Sequence, residues 1–173
     1  MAKAGKRSDR GPYLSAALIC ERILTESDRV ISAMRIVDTI TISTDAETSI
    51  PKGGVLPLQV TLLVSFKAGH FRGKQQLNIT LVGPSGKRKP FFGAELDFSG
   101  AGDEPEGGNN LGIRMHVQWD GPGLYWLEIS LGTRELTRVP FRLKLARSGA
   151  NKLEAEKHRV GENLTPGQKR RQK

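Results

Sequence analysis

The chain has 173 residues, with 27 Lys and Arg against 18 Asp and Glu, a formal charge of +9 and a single cysteine. That length suffices for one domain that buries a core without a disulfide or a metal; the lone Cys20 excludes an intrachain disulfide and fits a reducing compartment. The charge argues against a broad basic docking face on the domain, while leaving room for a local patch: residues 1–10 hold four basic residues against one acid, residues 147–173 eight against three, and residues 11–146 fifteen against fourteen, so the excess sits in the tails.

In chain order, residues 1–11 read as a disordered basic tail. A basic start followed by an apolar run to Cys20 has the outline of an export signal. The run is short, however, Glu21 and Arg22 interrupt it, and Ile19 is too bulky for a small-residue cleavage site. It reads instead as a first strand over 13–24, with Leu14, Ala16, Leu18 and Cys20 on one face. No stretch approaches the roughly 20 apolar residues of a membrane span. The expectation is a soluble, cytoplasmic protein with no membrane contact.

Residues 25–28 are turn chemistry. Residues 30–43 form the next strand, on the strength of β-branched enrichment and the alternation at 39–42. A polar loop over 44–54 leads into the alternation of Leu56, Leu58, Val60, Leu62, Val64 and Phe66. Leu77, Ile79 and Leu81 mark another strand, closed by the turn residues Gly83, Pro84, Ser85 and Gly86. Phe92, Ala94, Leu96 and Phe98 make the next face, with Glu95 and Asp97 opposite. A Gly-rich acidic loop over 99–110 precedes Leu111, Ile113, Met115, Val117 and Trp119, with Arg114, His116 and Gln118 on the wet side.

The clearest pattern is at 121–145. Tyr125, Leu127, Ile129 and Leu131 share one parity and Trp126, Glu128 and Ser130 the other; after Gly132 and Thr133, Val139, Phe141, Leu143 and Leu145 alternate with Arg142 and Lys144. This is a hairpin of half-buried antiparallel strands. About eight strands at short spacing predict an all-β antiparallel sandwich, immunoglobulin-like or C2-like, over 12–146. Residues 147–173 form a second basic tail with room for one short helix near 152–159.

Sites for chemistry are sparse. His70, His116 and His158 stand at no metal-ligand spacing from one another or from Cys20. Cys20 reads as a small core hydrophobe. No phosphate loop, nucleophile elbow or dinucleotide fingerprint occurs. Asp97, Asp103, Glu104, Glu106 and Asp120 are the only calcium-like cluster, yet Asp120 belongs at the far end of a strand from Asp103. The expectation is no enzyme, no cofactor and no metal. Asp38 shares parity with Met34, Ile36, Ile40 and Ile42, so in a regular strand it is expected to point inward and to need Arg138 or Arg35 as partner, unless a bulge turns it out. Trp126, with Phe91 and Leu63, is expected on the outward side.

Two segments carry a resemblance. The first joins residues 17–21 to 31–38, and the second joins 123–126 to 136–140. In both, the chain resembles a family of bacterial proteins known as a domain of unknown function. The resemblance covers 13–145 and implies a compact β-sandwich in a bacterial cell, with no activity or cofactor attached. Gly123 and Tyr125 also resemble the tyrosine corner of immunoglobulin-like sandwiches.

The function expected is a non-enzymatic interaction module that binds a protein partner or itself, with Trp126 and Arg142 as contacts. The alternative is an accessory nucleic-acid binder that holds phosphates with Lys87, Arg88 and Lys89 and with the tail residues Lys169, Arg170, Arg171 and Lys173. Asp38, Tyr125 and Arg138 are expected to be structural.

Overall fold

The computed structural model describes residues 11–28, 30–44, 50–51, 53–101 and 106–147. Apart from Gly11 and Arg147, the last residue of β9, the tails expected over 1–11 and 147–173 fall outside that range, including Lys169, Arg170, Arg171 and Lys173. Residues 11–40 and 50–144 belong to one compact unit; of a second unit, residues 41–44 and 145–147 are described.

The described residues are all-β, apart from a single 3-10 turn at Ser99–Ala101. Nine strands follow in order: β1 (Tyr13–Thr25), β2 (Ile31–Ile36), β3 (Thr39–Thr44), β4 (Val55–Lys67), β5 (Lys74–Val82), β6 (Arg88–Asp97), β7 (Gly108–Gln118), β8 (Gly123–Leu131) and β9 (Arg134–Arg147). They form a four-stranded sheet of order β2-β1-β4-β7 and a five-stranded sheet of order β3-β9-β8-β5-β6.

The ninth strand comes from a break inside the predicted strand 30–43. β2 pairs with β1 in the first sheet, whereas β3 lies at the edge of the second. The chain changes sheets at Val37 and Asp38, where the Val37 N–H donates to Ile19 O at 2.9 Å and Asp38 O accepts from Arg142 N–H at 2.8 Å. Asp38 therefore sits in an exposed bend between strands and is not turned inward. Parity failed there because the strand ended before reaching it. The expected partners are engaged elsewhere, Arg35 with Glu21 at 3.3 Å and Arg138 with Glu128.

Period two built the core. Leu62, Val64 and Phe66 of β4, Leu77 and Ile79 of β5, Met115 and Val117 of β7, and Tyr125, Leu127 and Ile129 of β8 are all buried. Each such aliphatic or aromatic side chain contributes about 1.5–3 kcal/mol on burial. The ring of Phe98, just after β6, lies edge-on to Phe66 of β4 at 6.5 Å and to Phe71 at 5.9 Å.

Bulges correct the face assignments. On β1 the register slips between Leu14 and Ala16, so Leu14 opposes the buried Phe66 while Ala16, Leu18 and Cys20 oppose Ser65, Leu63 and Thr61. The expected single face of Leu14, Ala16, Leu18 and Cys20 is split by that extra residue, Ser15. Cys20 is nonetheless fully buried; its thiol lies 3.7 Å from Thr61 O, and burial pushes its pKa up. Leu63, expected outward, is also buried, between Leu18 and Gly112 in the ladder.

Candidate functional site: the arginine–tryptophan face and the β6–β7 cleft

The hairpin β8–β9 carries the first site. Its two-residue turn pairs Leu131 with Arg134, and Gly132 there adopts φ 58°, a left-handed conformation that glycine tolerates. The register then slips by one at Leu136, so Glu128 faces Arg138 and Trp126 faces Pro140. On the opposite flank Glu128 faces Thr80 of β5, and Val82 of β5 faces both Trp126 and Arg88 of β6. Three strands thus bring Arg88, Glu128, Arg138 and Trp126 onto the sheet face away from the core.

Glu128 is the one buried charged side chain among the described residues, at 5% exposure. One carboxylate oxygen accepts from Arg138 at 2.5 Å and the other from Arg88. A carboxylate can be removed from water at this cost only when its lone pairs are met by charged donors. The arginines remain largely exposed themselves, and the guanidinium of Arg138 also lies over the Trp126 ring at 5.3 Å. Trp126 is half-buried rather than solvent-facing. Arg142 is exposed on the same strand as Arg138, opposite Leu124.

Arg88, expected as a phosphate contact, has its guanidinium on Glu128. Lys87 is exposed and Lys89 half-buried. Both lie near Asp120, whose carboxylate accepts from the Ser85 N–H at 3.1 Å and from the Ser85 hydroxyl. Those two bonds, with help from the nearby lysines, hold Asp120 below its ordinary carboxylate pKa. Asp97 is likewise lowered by bonds from Ser99. Asp97 serves a local turn and Asp120 ties the distant Ser85 turn to the end of β7, and no cluster of three metal-ligating side chains occurs among the described residues. Asp103 and Glu104 lie outside them.

Tyr125 packs on the core side of β8. Its ring is fully buried and stacked on Phe141 at 5.3 Å. Its hydroxyl donates to Gly121 O at 2.7 Å and accepts from the Asp120 N–H at 2.9 Å, tying the start of β8 to the chain just before it. Burial pushes the phenol pKa up.

A second feature has no counterpart in the sequence reading. Between β6 and β7 runs an open cleft of about 510 Å³, lined by Phe91, Phe92, Leu111, Ile113, Arg114 and His116. A bulge makes it. Ile79 pairs with Phe92 and Thr80 with Pro90, which leaves Phe91 as the extra residue. Two consecutive phenylalanines then border one space, where a regular strand would send them to opposite faces.

No protein-family model matches this chain, and no curated protein matches it. Among solved structures, the Pseudomonas fluorescens alkylpurine DNA glycosylase AlkC bound to DNA containing an abasic site analog aligns at 12% identity and a TM-score of 0.36. The alignment covers 74% of this chain and 30% of that one, so this chain spans less than a third of that enzyme's length. Among the described residues no helix is long and apolar enough to cross a membrane.

Proposed function

We propose that this chain is a non-enzymatic interaction module, an immunoglobulin-like sandwich that binds a protein partner or a second copy of itself through the Trp126 face. One observation carries the reading. Trp126 lies under Arg138, and Arg138 is held by a buried carboxylate that also holds Arg88. Tryptophan and arginine dominate binding energy at protein interfaces, and side chains already fixed lose less entropy when a partner arrives. Arg142 adds an exposed cation on the same strand.

The immunoglobulin-like assignment is supported by the two sheets and by the Tyr125 hydroxyl bonding back to Asp120 and Gly121, as a tyrosine corner does. The resemblance of the two strand segments to the bacterial domain of unknown function, together with the single buried thiol, supports a place in the bacterial cytoplasm.

The test is sedimentation of the full chain over a concentration series, with capture from nuclease-treated lysate at moderate salt. Trp126→Ala with Arg142→Ala is expected to weaken the dimer or the captured complex by about tenfold or more. Equal association by the wild type and the double variant sinks the proposal. Association that nuclease and salt remove would instead mark phosphate binding by the basic residues.

A further inference from the structure

Sheet edges offer unpaired backbone groups, and proteins ordinarily blunt them. Two of the edges here are blunted. β2 has six residues, and Arg35 within it adopts φ 54°, which breaks the extended run. β6 carries Pro90, which has no N–H, beside the Phe91 bulge. β7 differs. It has eleven residues and no proline, and its register with β4 is regular from Arg114 opposite Thr61 to Gly108 opposite Lys67. In the sheet order it is hydrogen-bonded to β4 alone, and its other side borders the β6–β7 cleft.

The residues along that free edge are sorted by face. Ile113 opposes the buried Leu62 and Leu111 opposes the buried Val64, so both belong to the core side. Arg114 opposes Thr61 and, with His116, is exposed on the other side. Neither joins any of the four ion pairs among the described residues. An added strand places its side chains alternately on the two faces, each beside a same-face neighbour on β7. Its apolar residues would meet Leu111, Ile113 and the Phe91–Phe92 wall, and its acidic residues Arg114 and His116.

We propose that the free edge of β7 takes an extended segment of a partner protein, alternating apolar and acidic residues, as a fifth strand of the four-stranded sheet. A second β7 does not fit this description, because pairing two such edges gathers both Arg114 guanidinium groups on one face. The chain's own ends carry a net positive charge and are wrong in sign.

The probes are an acetylated, amidated eight-residue peptide of alternating glutamate and valine, its lysine–valine counterpart, and the glutamate peptide N-methylated at every backbone amide. With the full chain, the glutamate peptide is expected to bind and to protect β7 amides from hydrogen exchange, and the methylated form to lose binding. Arg114→Glu is expected to weaken the glutamate peptide by about tenfold and to favour the lysine peptide. Trp126→Ala is expected to leave peptide binding unchanged, which separates this edge from the Trp126 face. Equal binding of the methylated peptide, indifference to Arg114→Glu, or no binding at millimolar peptide would each overturn the proposal.

Discussion

Two regions of the surface treat their arginines in opposite ways. On the five-stranded sheet, Arg88 and Arg138 converge on Glu128, and Arg138 also covers Trp126. On the four-stranded sheet, Arg114 stands at the mouth of a cleft outside every ion pair among the described residues. The difference teaches that a count of exposed cations says little about binding. A guanidinium matched within the protein shapes a surface, and an unmatched one is free to meet a charge from outside.

Four experiments sharpen or break that contrast. The largest effect is expected from Arg88→Ala combined with Arg138→Ala, which strands the Glu128 carboxylate. The expected loss is about 2–3 kcal/mol in urea unfolding, below the ~3–5 of a fully buried pair, because truncating the arginines lets water reach Glu128. Arg114→Ala, read in the same assay, should change stability by less than about 0.5 kcal/mol. If the two cost the same, the contrast between matched and unmatched arginines collapses.

Tyr125→Phe keeps the ring on Phe141 and removes the hydroxyl, leaving the Asp120 N–H and Gly121 carbonyl without their partner. The expected cost is about 1–2 kcal/mol, read as a fall in Tm of several degrees. A smaller effect is expected from pH. The folded pKa of Asp120 is depressed, so its contribution is present above the unfolded value and is lost as pH falls through the lower, folded one. Ser85→Ala removes the hydroxyl bond that does most to hold that pKa down, so stability should fall less steeply below about pH 4 than in the wild type. An unchanged slope would show that Ser85 does not set the Asp120 titration. As small as the Arg114 effect, Asp38→Ala should lie within about 0.5 kcal/mol of wild type, since Asp38 is exposed in a bend. A large loss there would restore an inward role.

The β strands of the core were legible because each buried face repeats every second residue. Leu62, Val64 and Phe66, and Tyr125, Leu127 and Ile129, read as core in one dimension and are core in three. Glu128 was missed for a specific reason. Its parity with Trp126 was plain, but counting back from the Gly132–Thr133 turn in a regular hairpin puts Thr137 opposite Glu128. The bulge at Leu136 replaces it with Arg138, and that bulge carries no glycine or proline to announce it. Asp38 failed in the same way, because a run of β-branched residues does not say where the chain leaves one sheet for another.

By itself, the sequence determined most of the apolar side chains that leave water, since burial of apolar surface acts on each residue wherever it sits in the chain. It also determined the hairpin turn at Gly132, whose φ is a local matter. Only the tertiary structure decided the register. The slips at Ser15, Phe91 and Leu136 settle which residues meet across strands. They depend on pairings between distant segments, and no local propensity encodes those pairings. Register is what closes Arg88 and Arg138 over Glu128 and leaves Arg114 open beside the cleft.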